Sequence, residues 1–476
     1  MGSAGRLILF TALACAFGWA VPHSAAAGAP RSDPAPSVAR HAADDWLAAF
    51  NAGSLEELHA FAERYAKQEG STPQDYLEFR ESTGPLKLLE VHESTPLRAK
   101  LLVLAQHTER AMLVTAEMDP AHPEHLKLFQ LEGTPTPAKY QPARMALPEL
   151  MADARAKLDA LAAEDALSGA VLVAHNGRVL LDWKGGLADR TTDTPVGAET
   201  QFRLASSNKM FTSVAILKLV QAGNVSLDDT IGKHLPDYPN KVVADTVTVR
   251  QLLTHTSGLG DFFSDDFDQY SASLKTLDDY VQRFAKDAPQ FTPGSQDSYS
   301  NYGFIVLGRI IEAVSGQSYY DHVDEHILRP VGMMATGFEP ESVDVAQRAV
   351  AYTRKDGHWV RETKTLPWRG MSAGGGYSTA ADMLRFCEAL RNGTLLSPAL
   401  LQQATTAQNH KGWYGYGFVV QGQGSQRQYG HEGGAPGSNS AIVVLPGQGY
   451  VVIGLANVDP DAVGNVVNYI ARRLPL

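Results

Sequence analysis

From Leu147 to the C-terminus, the spacing of apolar residues changes period in a definite order. Leu147 to about Ala163 repeats at helical spacing. "GAVLVAHNGRVLLDWKGG" then reads as two strands. Asn176-Gly177 between them is a hairpin signal, because both residues tolerate the positive φ of a type I′ turn. The middle of this region is mostly helical, as in "YGFIVLGRIIEAVSG" and "TAADMLRFCEAL". The chain closes with the strands of "SAIVVLPGQGYVVIGLANV" and the helix "AVGNVVNYIARRL". A β start, a helical middle, a β finish and a terminal helix predict one sheet built from both ends of a domain, with a helical region inserted.

The pattern upstream is different. "DDWLAAFNAG" predicts a helix ending at Gly53, and Ser54 to Glu57 forms a capping-box sequence ahead of "LEELHAFAERYA". Four strand-like runs follow: "LKLLEV", "RAKLLVLA", "AMLVTAEM" and "HLKLFQLE". Helices followed by consecutive strands predict a separate small α+β domain over 41–132, which resembles the nuclear transport factor 2-like fold on this pattern alone. It carries no chemical constellation, so its expected role is binding, or packing against the second domain. Pro135, Pro137 and Pro142 mark 133–147 as a linker, and the second domain is expected over 148–476.

The N-terminus adds a location. Arg6 precedes an apolar run from Leu7 to Ala20, too short for an ordinary membrane span, and Ala25-Ala26-Ala27 fits an A-x-A cleavage site. Residues 1–27 therefore read as a secretory signal peptide and the Ala/Pro/Ser-rich 28–40 as a tether, which implies a periplasmic or secreted protein. Cys15 lies in the run, but Ala12 stands where a lipidation site wants leucine. After cleavage Cys387 alone remains, so no intramolecular disulfide is possible, and it reads as a buried helix residue. No second long apolar run predicts a stable membrane span. Across 476 residues, 44% hydrophobic and 20% charged with a net charge of −11, no Lys/Arg cluster marks a nucleic-acid face.

Candidate chemistry begins at "LASSNKM". Ser206 and Lys209 are either a polar helix cap that happens to precede a lysine, or a nucleophile with its base one turn away. The apolar pattern of Met210, Phe211, Val214, Leu217 and Val220 puts Ser206 at a helix N-terminus, where an exposed N–H can meet an oxyanion. A cap wants the serine but not the lysine. Two further elements stand in order along the chain. Tyr299-Ser300-Asn301 follows a Pro293-Gly294 turn and opens a helix, and His431-Glu432-Gly433 opens the C-terminal strand pair.

Together with "VRQLLTHTSGLGD", "PGSQDSYSNYGFIVLGRIIE", "ILRPVGM" and "AGGGYSTAADMLRF", these segments make residues from about 150 to 476 similar to the class C β-lactamase-related serine hydrolases. That superfamily comprises penicillin-binding proteins, DD-peptidases, D-aminopeptidases and related esterases. The resemblance implies a β-lactamase-like α/β (α+β) fold, a sheet flanked by helices, and no cofactor or metal. It also implies an acylated Ser206, a base network of Lys209 and Tyr299 with the lysine charge favouring the phenolate, and Asn301 orienting Lys209 and holding a substrate carbonyl. The Ser206 and Gly434 N–H groups would form the oxyanion hole, and His431 and Gly433 would contact substrate.

One departure matters. Where β-lactamases carry Lys-Thr-Gly or Lys-Ser-Gly, this chain has His431-Glu432-Gly433, replacing a permanent ammonium with a mostly neutral imidazole. Carboxylate recognition should weaken, further so if Glu432 faces the site. The expected substrate is a small or peptide-like ester or amide rather than a β-lactam, the alternative being a penicillin-binding receptor without turnover. Asp261, Asp265, Asp266 and Asp268 read as either a solvated acidic loop or a preference for amine-bearing substrates. Two decoys compete: Ser372 in "GMSAG" lacks the preceding strand that a nucleophile elbow needs. "HVDEH", with His322 and His326, reads as a surface-facing helix rather than an inverted zinc motif. His255 reads as a structural histidine near the site.

Overall fold

The computed structural model describes residues 37–476 except 66–71, 264–266 and 364–366; the signal peptide expected over 1–27 and most of the tether lie outside the described residues. The chain divides into two compact units, meeting between Ala143 and Arg144.

In the first unit, Ser37 already caps a helix within the stretch read as tether: its Oγ accepts from Arg40 N, and α1 runs over Val38–Ala52. Gly53, at φ 67°, ends it. Two helices follow, α2 (Leu55–Tyr65) and α3 (Pro73–Thr83). The sequence pattern gave no sign of α3, because "PQDYLEFREST" is mostly polar; a Thr72/Asp75 capping box and Pro73 start it instead. Strands β1 (Leu86–Ser94), β2 (Arg98–Ala105), β3 (Ala111–Met118) and β4 (Leu126–Thr134) form an antiparallel meander in chain order. Trp46 and Phe50 of α1 pack with Leu101, Val103, Val114 and Ala116 in its core. Strand β4 continues into residues expected to be linker because its edge still pairs with β3, Met112 with Gly133 and Ala111 with Thr134.

The second unit starts with α4 (Leu147–Ala163), β5 (Gly169–His175) and β6 (Arg178–Gly185). Asn176 and Gly177 sit at φ 47° and 77°, the left-handed values that the hairpin turn requires. Three long helices of the middle region matter below: α5 (Lys209–Gln221), α6 (Asn301–Ser315) and α7 (Ala380–Arg391). The chain then returns as β7 (Val419–Gln421), β8 (Gln428–Ala435), β9 (Ser438–Leu445), β10 (Tyr450–Ala456) and α8 (Ala462–Arg473). All six strands are antiparallel neighbours in the order β7-β8-β9-β10-β5-β6, so the last strand pairs with the first, Val452 opposite Val173.

Alternation decides what covers each face. Val171, Val173, Ala441 and Val452 face Leu150, Ala154, Leu158, Val463, Val467 and Ile470 of α4 and α8. Leu172, Ile442 and Ile453 point the other way and are equally buried, so the sheet is a middle layer. Strand β7 pairs with β8 only as far as Gly430, which leaves His431–Ala435 running on beside the turn that holds Ser206. No helix among the described residues is long and apolar enough to cross a membrane.

Candidate active site

Ser206 does not stand in the first turn of a regular α-helix. It lies in a 3-10 turn, Ala205–Asn208, that runs into α5 at Lys209. Ala205 is held at φ 46°, a conformation that costs an alanine energy and persists only where the surroundings enforce it. The enforcing contacts come from the sheet. Ser440 of β9 donates to the Leu204 carbonyl at 2.7 Å, and Ser207, 2.7 Å from Ser440 Oγ, donates to the His431 carbonyl at 3.2 Å. Strand β8 presses close beside them: a Cβ on Gly433 would come 2.9 Å from Ser206 N and would overlap the Leu204 carbonyl. Only glycine permits that approach.

Lys209 is fully buried, and its amine meets three oxygens. Nζ lies 3.2 Å from Ser206 Oγ and 2.7 Å from Asn301 Oδ1, and it also donates to the Ala373 carbonyl. The two carbonyl oxygens can only accept. A neutral amine that donates to both is left with its lone pair for the Ser206 hydroxyl; an ammonium would instead donate to all three. Burial pushes this amine down to about 7, opposed by the Asp261 carboxylate. The neutral form is therefore accessible at ordinary pH, and in that form the amine can take the proton of Ser206.

Tyr299 lies beside this amine. Burial, with Asp261 adding to it, raises its phenol well above the usual tyrosine range, and the Ser206 hydroxyl offsets this only in part. Its oxygen is buried and makes no hydrogen bond of ordinary geometry. Burial thus moves the two groups in opposite directions, lowering the Lys209 amine and raising the Tyr299 phenol. Lys209 Nζ sits 4.8 Å from the centre of the Tyr299 ring.

The segment carrying Tyr299 and Asn301 is fastened to "HTSGLGD". Ser298 N donates to the His255 carbonyl at 2.9 Å, Ser300 N to His255 Nδ1 at 3.1 Å, and Ser300 Oγ to the Gly260 carbonyl at 2.7 Å. His255 thus holds both neighbours of Tyr299, and its ring lies tilted 4.2 Å from the Tyr299 ring. Burial keeps this histidine well below its ordinary pKa. Asp261, read from the sequence as a possible substrate contact, turns inward and takes Asn301 Nδ2 at 2.8 Å. Asp265 and Asp266 lie outside the described residues, as does the side chain of Asp268.

His431 lies on β8 with both ring nitrogens in reach of protein oxygens. Its Nδ1 lies 2.6 Å from the Glu432 carbonyl, which can only accept, so the proton sits on Nδ1. Nε2 is left to accept from the Tyr414 hydroxyl at 2.8 Å. With both nitrogens engaged and burial pushing its pKa down to about 3, this imidazole is neutral. Glu432 points away, accepting from Asn468 of α8 at 3.2 Å. A Cβ on Gly434, two residues on, would come 2.9 Å from Pro460 Cγ.

The decoys part company with the cluster. Ser372 is fully buried in the Met371–Gly374 turn. That turn matters for its carbonyls: those of Met371, Ser372 and Ala373 accept from Asn208, Thr212 and Lys209 in succession. His322 proves buried rather than surface-facing, its ring 4.4 Å from that of His326. Among the described residues, no group of three His, Cys, Asp or Glu side chains could hold a metal ion. Cys387 is buried in α7, and burial pushes its thiol up to about 12.

Comparison with known proteins bears on this geometry. The Beta-lactamase family profile matches residues 154–475. Penicillin-binding protein 4 of Amycolatopsis lactamdurans is 29% identical over 322 residues, spanning 63% of this chain and 84% of that protein. A penicillin-binding protein structure from Bacillus halodurans superposes with a TM-score of 0.60 at 30% identity, covering 69% of this chain and 98% of that one. A D-stereospecific amidohydrolase from Streptomyces sp. does so with 0.56 at 29% identity, over 67% and 97%.

Proposed function

The chain belongs to the Beta-lactamase family, whose members are serine hydrolases, and on that premise we propose that it cleaves an ester or amide through an acyl-enzyme on Ser206. The observation that carries this reading is the three-way setting of the Lys209 amine, which leaves one lone pair for the serine hydroxyl. Ser206 Oγ attacks the substrate carbonyl as its proton passes to Lys209 Nζ. The Ser206 and Gly434 N–H groups receive the oxyanion. Collapse expels the alcohol or amine, which takes up the proton, Tyr299 serving as the second hydroxyl in the transfer. Water then attacks the acyl-enzyme by the same route in reverse.

The substrate class follows from the β8 edge. A neutral, fully engaged His431 offers no cation for a carboxylate, which disfavours penicillins and C-terminal peptide carboxylates and favours uncharged esters and amides. The D-stereospecificity named for the Streptomyces relative makes D-amino-acid amides and esters the first compounds to try. Export, with cleavage after Ala27, places the enzyme in the periplasm or outside the cell, and we assign the N-terminal unit a nuclear transport factor 2-like binding role.

Intact mass and product release after incubation with a chromogenic short-chain ester, and separately with a penicillin, test the reading. Wild type should turn the ester over, and Ser206→Ala should not. Turnover surviving in the alanine variant would transfer the search to another nucleophile. A permanent penicillin adduct without ester turnover would identify a receptor instead.

A further inference from the structure

Resting on the reading of Ser206 as the acylated nucleophile, we propose that Asp261 is a positioning residue for the reaction: its carboxylate holds the Asn301 amide with the oxygen turned toward Lys209, and so fixes where the lysine lone pair points. Four N–H groups converge on this carboxylate. Oδ1 accepts from Phe262 N at 2.7 Å and Phe263 N at 3.2 Å, and Oδ2 accepts from Asn301 Nδ2 at 2.8 Å and Asn301 N at 3.3 Å. A set of four donors suits an ionised carboxylate and nothing else among the common side chains.

The consequence reaches Lys209 through one amide group. With Nδ2 committed to Asp261, Asn301 has only Oδ1 to offer the amine, and it does so at 2.7 Å. Turned over, Asn301 would present an N–H to the amine, and the lone pair would be drawn away from Ser206. An asparagine at 261 forces that choice. Its NH2 either meets the N–H groups of Phe262 and Phe263, or faces Asn301 and invites the amide to turn.

Charge gives a readout that a merely structural residue would lack. Facing the Lys209 amine are Tyr299 from the segment before α6, His255 from the "HTSG" loop, His431 from β8, and Asp261. Tyr299 and both histidines are held neutral by burial. Asp261 is therefore the anion of this set. Removing it eases loss of the lysine proton, so activity should persist to lower pH even as the rate falls.

The experiment follows acylation rate and kcat/KM from pH 5 to 9 in the full-length protein with a chromogenic ester. Asp261→Asn should lower the acylation rate by about 10²-fold, the usual cost of a small misplacement of a reacting group, with its acid limb moved to lower pH. The exchange Asp261→Asn with Asn301→Asp restores donor to acceptor between the two residues and puts a carboxylate against the lysine. Its limb should lie above that of wild type. Should the single variant fail to fold, the upward limb of the exchange carries the test. An unmoved limb, whether the rate is unchanged or falls only with the folded fraction, overturns the proposal. Ser206→Ala, run in parallel, separates the two readings: turnover surviving there removes the nucleophile assignment itself, whatever Asp261 does.

Discussion

The two units of the chain bury very different things. In the first, the buried side chains among the described residues are apolar apart from Thr83 and Thr115. In the second, a lysine, several histidines and a run of hydroxyls and amides are packed out of water, among them Ser207, Asn208, Lys209, Thr212, His255, Ser300, His431 and Ser440. Burying an ionisable group is costly unless partners satisfy it, and stability alone gives no reason to do so. The contrast teaches where chemistry resides. One unit is built to fold; the other spends part of its folding energy on a polar network that holds the Ser206 hydroxyl beside an amine.

Replacing the lysine is the strongest way to break that comparison. Lys209→Met keeps the length and removes the amine. If the buried polar network exists for catalysis, acylation should fall about 10²–10⁴-fold, the range for losing a positioned general base. The thermal midpoint should fall modestly, because Asn301 Oδ1 and the Ala373 carbonyl each lose a donor. Turnover within a factor of ten of wild type would mean that the network is structural.

Proton uptake by the same amine sharpens the comparison with a smaller effect. With Lys209 brought down to about 7 by burial, the amine is protonated below that pH and cannot accept from Ser206. kcat/KM should therefore level off above pH 7 and fall about tenfold per unit below it. His431, pushed down to about 3, and His255, also depressed by burial, stay neutral through this range and cannot supply the limb. A limb that survives in the residual activity of Lys209→Met would assign it to another group.

How far the sequence discloses this network depends on the kind of contact. Side chains at fixed spacing are legible: Ser206 and Lys209 one turn apart, Asn176-Gly177 in a hairpin, Tyr299 and Asn301 ahead of a helix. The sheet closing from both ends follows from the order of periods. Contacts made by backbone carbonyls are not legible, and so the Ala373 carbonyl beside Lys209 escapes notice although "AGGG" marks a tight turn there. Direction is also hidden. Asp261 sits in an acidic stretch that reads as either solvated or a contact for amine-bearing substrates, yet it turns inward to meet four N–H groups. Nothing in the neighbours of His431 announces Tyr414, whose hydroxyl takes its second nitrogen. Helix α3 is missed for a plainer reason: its cap is strong but its apolar face is thin.

The smallest expected effect on turnover comes from the unit that buries almost no polar groups. Trp46 is fully buried there, its ring 4.9 Å from Phe50 and 5.0 Å from Phe129, and its indole N–H has no partner. Trp46→Ala removes that packing and should cost the first unit about 3–5 kcal/mol. Trp46→Phe keeps most of the apolar volume while removing the unpaired N–H, so its cost should be well below that of alanine. Unfolding should then show an early transition in the alanine variant, read by denaturant titration. Because the side chains named in the polar network around Ser206 all belong to the second unit, kcat at a temperature where both units are folded should stay within about twofold of wild type. A drop in kcat comparable to that of Lys209→Met, with the early transition absent, would mean that the first unit is part of the catalytic apparatus and that the division drawn between the two units is wrong.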